Sequence, residues 1–168
     1  MKQTQTFKPA KMNIFLLLAA ICAVGILVFT VMLRAQHRNA VYISSADYTM
    51  ETPSGFKYKC DIMQSHGAFS LRGYAFIDGE RFIDVNTHVV LYHAKSGKYL
   101  QIPTDLELNQ DALNVVADKI NYSFGGFTSF VIEKQLKAPP CEYEIYIAFR
   151  SNGYNLLIPT GQSLEANT

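Results

Sequence analysis

The chain has 168 residues, and its net charge of +1 conceals an uneven distribution of charge. Residues 1–40 carry five of the fifteen Lys and Arg and no acidic residue, so residues 41–168 carry a net charge of −4. A mildly acidic domain without a basic stripe is not expected to bind nucleic acid. Once a membrane segment is set aside, the remaining length suits one folded domain.

The N-terminal part contains a long uncharged run. Residues 13–33 read NIFLLLAAICAVGILVFTVML, which is 21 residues without a charge. A helix of that length rises about 30 Å, the thickness of the hydrocarbon core of a bilayer. A helix is expected because lipid offers no partners for backbone N–H and C=O groups. The run therefore predicts a transmembrane signal-anchor helix at 13–33, in contact with the bilayer and preceded by a tail at 1–12.

Two other interpretations of this run stay open. A signal peptide could be cleaved after Ala35 or Ala40, although signal-peptide cores are shorter than this one. The stretch 18–22, LAAIC, resembles a bacterial lipobox ending at Cys22, but Ile21 stands where that pattern has a small residue. Lipidation would tether the domain by acyl chains instead of a helix.

The orientation of the anchor follows from charge and length. Three lysines precede the run, and Arg34 and Arg38 follow it. A short N-terminal tail stays in the cytoplasm easily, while a long C-terminal domain is translocated. We expect a single-pass protein with its N-terminus inside, in a bacterial inner membrane, and with its domain in the periplasm or outside the cell.

Beyond a polar linker at 34–57, which has room for one edge strand, the pattern predicts β structure. Short apolar segments alternate with turn residues at the spacing of a sandwich or barrel. Turns are predicted where Gly follows Asp78, Ser96 and Asn152. One short helix is predicted at 110–119. The seven predicted strands are 58–64, 68–77, 86–94, 99–103, 128–135, 142–149 and 154–158, within a domain spanning 58–168.

The predicted domain contains two cysteines, Cys60 and Cys141, near the ends of the β region. In an oxidising compartment such a pair is expected to form a disulfide. Closing a loop of about 80 residues would contribute roughly 4 kcal/mol. The alternative is two unpaired thiols in the core.

A search for catalytic patterns points away from an enzyme. The acids Asp78, Glu80 and Asp84 flank a glycine turn, where acids usually face solvent. His88 and His93 are five residues apart in a predicted strand, so they point to opposite faces and cannot share a ligand. No Cys or His spacing suggests zinc. We expect no catalytic residue, no metal and no cofactor.

Tyrosines outnumber what one core face requires. Tyrosine rings stack on sugars and anchor protein interfaces, although many are core residues with a hydrated hydroxyl. The candidate binding aromatics are Tyr74, Tyr92, Tyr99 and Tyr146.

Several short motifs of the β region resemble a bacterial β-sandwich module of the form I-x-G-W-A-F, G-F, Y-x-I-x-I. The matching stretches are 69–77 (FSLRGYAFI), 89–92 (VVLY), 126–127 (GF) and 142–147 (EYEIYI). Tyr74 stands where the module has Trp, and no match to its R-x-D-V segment is found near 105–116. The resemblance implies an immunoglobulin-like sandwich, a non-catalytic part of glycosyltransferases and cell-surface polysaccharide proteins.

Together these observations predict a mainly β protein: one N-terminal transmembrane helix followed by an immunoglobulin-like antiparallel sandwich of about seven strands. The expected function is that of a non-catalytic accessory protein that binds a membrane protein or an envelope glycan in polysaccharide assembly. One alternative is a small envelope hydrolase that uses acids of the loops 78–84 and 104–125. Another is a structural subunit of a secretion or division complex, packed through Ala19, Ala20, Ala23 and Gly25.

Overall fold

The computed structural model describes residues 9–116 and 119–165. The chain divides into two compact units, Met1–Asn39 and Ala40–Thr168. The predicted tail at 1–12 lies largely outside the described residues, as do positions 117 and 118 of the predicted helix at 110–119.

The first unit contains one helix, α1, Pro9–Arg38. Its sequence is rich in Leu, Ala, Ile and Val and holds no proline after Pro9. The side chains described in it are those of Ile14 and of residues 16–32. Among the described residues, no helix combines the length and the apolarity that crossing a bilayer requires. The predicted N-terminal helix is thus present. Its membrane-spanning role stays a prediction.

The second unit is built of nine strands. They are β1 Val41–Ile43, β2 Phe56–Ser65, β3 Ala68–Ile77, β4 Asn86–His93, β5 Lys98–Gln101, β6 Thr104–Glu107, β7 Gly126–Ile132, β8 Tyr143–Ser151 and β9 Tyr154–Ser163. Short 3₁₀ helices interrupt the connections, among them Ser45–Asp47 and Gln110–Asn114.

The strands form two antiparallel sheets. The five-stranded sheet has the order β1-β5-β4-β8-β9, and the four-stranded sheet has the order β2-β3-β7-β6. Their facing side chains share one core, which includes Phe69, Leu71 and Phe127 from the smaller sheet and Leu91 and Ile147 from the larger one. The predicted mainly β architecture is confirmed.

The predicted hairpins are present. β4 pairs with β5 around Gly97, and β8 pairs with β9 around Asn152 and Gly153. Asn152 and Gly153 both have positive φ, 54° and 85°, the backbone that a tight hairpin turn requires. These turns fix which side chains of β4, β5, β8 and β9 are neighbours.

Burial of β8 differs from the prediction of a half-buried strand. Tyr143, Ile145, Ile147 and Phe149 face the core as predicted, yet Tyr146 and Ala148 on the other face are also buried. They form a second cluster with Val90 and Leu157, against which Ile43 and Tyr48 pack. The segment after β1 thus covers part of the outer face of the larger sheet.

Three details of the predicted architecture differ in the structure. The stretch predicted as a linker at 34–57 contains the end of α1, the edge strand β1 and the first residues of β2, so the β unit begins at Ala40 and not at 58. The edge strand for which the linker had room is present as β1, and β6 is a further short strand, so the strands number nine and not seven. The helix predicted at 110–119 is a 3₁₀ helix over Gln110–Asn114.

The predicted disulfide between Cys60 and Cys141 is not formed in the structure, where both cysteines are free thiols. Cys60 lies on β2 and is buried in the shared core, 5% exposed, whereas Cys141 is exposed in the 3₁₀ helix Pro140–Glu142 before β8. Burial raises the pKa of the Cys60 thiol to about 12, and Asp61 adds to the rise. Cys60 therefore behaves as a small core residue.

Candidate aromatic binding surface

Three of the four predicted binding tyrosines lie together on the outer face of the five-stranded sheet. Tyr99 of β5 pairs directly with Tyr92 of β4, which in turn pairs with Glu144 of β8. Tyr146 lies two residues along β8 and pairs with Val90. Because directly paired residues share a face and residues two apart on a strand do too, all three rings are on one side. We call Tyr92, Tyr99 and Tyr146 the tyrosine surface.

The three rings contact one another in a closed set. The rings of Tyr92 and Tyr99 are stacked, with centroids 4.5 Å apart and planes inclined by 29°. Tyr146 meets both edge-on, at 5.7 Å from Tyr92 and 5.5 Å from Tyr99. Stacked and edge-to-face pairs are the preferred geometries of aromatic rings, worth about 0.5–1.5 kcal/mol each beyond their burial. The surface is therefore pre-organised by its own contacts.

The three tyrosines of this surface differ in how much of each side chain is buried. Tyr146 is 8% exposed, while Tyr92 and Tyr99 are half-buried and present part of their rings to solvent. Burial raises the pKa of Tyr99, and Tyr92 and Glu144 raise it further. Burial also raises the pKa of Tyr146, and the neighbouring Tyr99 and Glu144 raise it further. The hydroxyls of both residues thus stay protonated and able to donate hydrogen bonds at neutral pH.

A cleft adjoins the tyrosine surface where β9 departs from β8. Its volume is about 350 Å³, at the lower end of the range of small-molecule sites. Sequence reasoning missed this cleft and its polar side chains. The one signal was Pro159 followed by Gly161 in an otherwise strand-forming stretch, a pattern typical of a bulge. The lining residues are Glu144, Ile145, Tyr146, Pro159, Gly161, Gln162 and Ser163.

Tyr74, the fourth predicted binding residue, does not belong to this surface. It lies on β3 in the other sheet, is 8% exposed, and packs against Phe76 with ring centroids 5.8 Å apart. Ala112 and Tyr122, from the segment between β6 and β7, cover that part of the sheet. Tyr74 is a core residue because this connection folds back over it.

The acids predicted around 78–84 hold a turn in place. Glu80 accepts hydrogen bonds from the side-chain amide of Asn152 and the hydroxyl of Tyr154, both at 3.0 Å. Asp84 accepts from the backbone N–H of Asn152 at 3.1 Å. Both carboxylates therefore clamp the loop at 78–84 onto the β8–β9 turn, which is a structural role.

A serine, a histidine and a glutamate meet at the β4–β5 turn. Nδ1 of His93 lies 2.8 Å from Oγ of Ser96, and its Nε2 lies 3.1 Å from Glu142. Lys95 also binds Glu142. The hydrogen bonds from Lys95 and from His93 lower the pKa of the Glu142 carboxyl, and the bond from Lys95 has the larger effect. The N–H groups of Ser96 and Gly97 both donate to the carbonyl of His93. The backbone donors of Ser96 and Gly97 are therefore already used within the turn.

The two histidines of β4 lie on opposite faces, as predicted. His88 lines a separate small recess of about 110 Å³ on the outer face, with Tyr48, Gln101 and Arg150 among its neighbours. Burial lowers the pKa of His88, and Arg150 lowers it further. Within the described part of the chain, no group of three or more His, Cys, Asp or Glu side chains is placed to hold a metal ion.

Comparison with known proteins yields no match: no protein family, no curated protein and no solved structure is significantly similar to this chain.

Proposed function

We propose that the chain is a membrane-anchored, non-catalytic binding protein whose tyrosine surface holds an envelope polysaccharide. The observation that carries this proposal is the interlocked set of Tyr92, Tyr99 and Tyr146, which leaves two rings partly open beside a polar cleft. Flat aromatic rings stack on the apolar faces of sugars, and neighbouring polar groups bind the hydroxyls. The cleft supplies such groups in Glu144, Gln162 and Ser163.

Rigidity supports a glycan ligand. A long polysaccharide loses conformational freedom when it binds, so a surface that is already ordered avoids an added entropic cost. The tyrosines stand on the paired strands β4, β5 and β8, not on loops. The resemblance of 69–77 and 142–147 to a module of cell-surface polysaccharide proteins agrees with this class of ligand.

The anchor is proposed from the composition of α1. Twelve large apolar side chains between Ile14 and Met32 are half or more exposed, and residues 13–33 carry no charge. A helix that is apolar on all sides is buried in a protein core or in a bilayer, and the proposal assigns α1 to a bilayer. In this proposal the N-terminus is cytoplasmic and the β unit faces the periplasm or the cell exterior, where envelope glycans are found.

The proposal is tested by screening the full-length protein, held in lipid nanodiscs, against a panel of bacterial surface polysaccharides. The double variant Tyr92→Ala/Tyr99→Ala is compared with Tyr42→Ala, which removes an exposed tyrosine of β1. We expect at least one polysaccharide to bind, a loss of tenfold or more for the double variant, and no loss for Tyr42→Ala. Absence of binding to any polysaccharide, with circular dichroism confirming an intact fold, would overturn the proposal.

A further inference from the structure

The cleft beside Tyr146 owes its shape to an irregularity in the β8–β9 pairing. The two strands pair regularly from Ser151 to Tyr146, and the register then shifts, so that Glu144 pairs with Ser163. Thr160 fixes the bulge: its hydroxyl donates to the carbonyl of Ile145 at 2.8 Å and accepts from the N–H of Gln162 at 3.2 Å. Residues 160–162 thus stand opposite the single residue Ile145, and the cleft lies at this bulge.

Two side chains of this cleft, Gln162 and Glu144, offer oxygen acceptors to a ligand. Oε1 of Gln162 is buried and has no hydrogen-bond partner among the described residues. A buried acceptor without a donor is unfavourable, so a ligand that supplies a donor is favoured once the Gln162 side chain turns its amide into the cleft. Glu144 is exposed and forms no ion pair with any residue that the structure describes.

The electrostatic setting of the cleft is negative. Glu144 lies in the row of paired residues that runs from Tyr99 through Tyr92 to Ser163. The negative charge of Glu144 also acts on the tyrosine surface, because Glu144 contributes to the raised pKa values of Tyr99 and Tyr146. A carboxylate, an amide oxygen and the ring of Tyr146 all favour a cation that carries N–H donors.

We propose that this cleft binds the protonated amino group of a 2-amino sugar within the glycan held by the tyrosine surface. The inference rests on the proposed function and deepens it, because it names the sugar unit that is recognised. The amino group of that unit enters the cleft beside Tyr146, and its ammonium donates to Glu144 and Gln162. Neutral sugars occupy the tyrosine surface without this charge-assisted contact.

Three β-1,4-linked hexamers test this, since they differ only at carbon 2: glucosamine, N-acetylglucosamine and glucose. Their affinities are measured calorimetrically with the full-length protein in nanodiscs. We expect the glucosamine hexamer to bind at least tenfold more tightly than the other two, because hydrogen bonds to charged groups are worth about 1.5–3 kcal/mol. The preference is expected to disappear as rising pH deprotonates the ligand's amines.

Two variants of the cleft and one control accompany this measurement. Glu144→Gln is expected to remove about tenfold of the preference for glucosamine while leaving the affinity for the glucose hexamer unchanged. Gln162→Glu adds a second carboxylate and is expected to strengthen the preference. The control is Glu51→Gln, an exposed acid of the segment between β1 and β2, which should change nothing.

The outcomes separate this inference from the proposed function. Equal affinity for all three hexamers, with Glu144→Gln like the wild type, would overturn the amino-sugar site. If binding were nevertheless lost in Tyr92→Ala/Tyr99→Ala, the glycan-binding function would stand. Failure of the glucosamine hexamer to bind at all would overturn the inference on its own, while the polysaccharide panel decides the function.

Discussion

The ring of Tyr92 stacks on the ring of Tyr99 across the β4–β5 pair, with centroids 4.5 Å apart. The two residues are direct cross-strand partners, so their contact is set by the register of the hairpin around Gly97. Tyr146 then closes the set from β8. An ordered aromatic surface thereby arises from strand pairing alone, so under the proposed function no loop has to order when the ligand binds.

Gly73 is expected to be the least replaceable glycine of the β unit. It lies in the middle of β3, where a Cβ would be 1.8 Å from the carbonyl oxygen of Lys59. The Lys59 carbonyl belongs to the backbone of a paired strand and cannot move aside as a flexible side chain can. Gly73→Ala should therefore lower the free energy of unfolding by about 3 kcal/mol or more. Urea unfolding followed by circular dichroism measures this.

Ser70→Ala on the same strand is the matched control, and its unfolding free energy should lie within about 0.5 kcal/mol of the wild type. A Gly73→Ala protein as stable as Ser70→Ala would show that β2 and β3 do not approach as closely as described.

The two cysteines of the β unit are expected to differ in reactivity. Cys141 is exposed, while burial raises the pKa of the Cys60 thiol to about 12 and keeps it protonated. Because the thiolate is the reactive form, iodoacetamide should modify Cys141 and leave Cys60 unmodified until the protein is unfolded. Peptide mass spectrometry without added reductant measures both positions. Protection of both cysteines that reductant relieves would instead demonstrate the disulfide that the sequence predicted.

Protonation of His88 is expected to destabilise the fold. Its Nδ1 is buried without a hydrogen-bond partner among the described residues, and burial followed by Arg150 lowers its pKa below 6.5. In the unfolded chain the histidine regains its ordinary pKa and binds a proton more readily. Its contribution to stability is therefore complete above about pH 6.5 and is lost as the pH falls through the lowered value.

Urea midpoints at pH 7.5 and pH 5 measure this dependence. His88→Gln should reduce the loss of stability between the two. His66→Asn is the control, because His66 lies in the exposed β2–β3 turn with φ 49°, a backbone that Asn tolerates. An unchanged pH dependence in His88→Gln would assign the loss to other groups.

Much of the β unit could be predicted from its sequence. Alternation along β8 and the glycine turns at Gly97 and Gly153 gave correct hairpins, since period and turn chemistry are local properties. The strands β1 and β6 have three and four residues and lack a clear period, so only pairing with their neighbours defines them. The predicted helix at 110–119 followed neither period, and its residues Ala112 and Val116 pack over Tyr74 and Phe76.

The candidate site was predictable only in part. Tyrosine enrichment pointed to Tyr74, Tyr92, Tyr99 and Tyr146, but whether a tyrosine is open or covered depends on distant segments. Tyr74 is covered by residues from beyond β6, whereas Tyr92 and Tyr99 stay half-buried. The cleft depends on the register shift between Glu144 and Tyr146, for which Pro159 and Gly161 were the one local signal.

The anchor proposal predicts firm association of the full-length chain with membranes. After an alkaline carbonate wash, the wild-type chain should stay in the membrane fraction. Ile21→Arg/Val24→Arg places two charges in the middle of the uncharged run, each costing about 2.5–3.5 kcal/mol in a bilayer, and should release the chain. Ile21→Leu/Val24→Leu, which keeps both positions apolar, should behave as the wild type. Carbonate extraction of the wild-type chain would contradict the anchor.

Hydroxyl-radical footprinting of the full-length protein, with and without the tightest-binding polysaccharide, tests the central claim most directly. The account predicts protection of Tyr92 and Tyr99 on binding, with no change at Tyr42 on β1 or at Tyr58 on β2, which are 48% and 36% exposed. Protection confined to the outer face of the other sheet, for example at Met63 and Phe130, would contradict a binding role for the tyrosine surface.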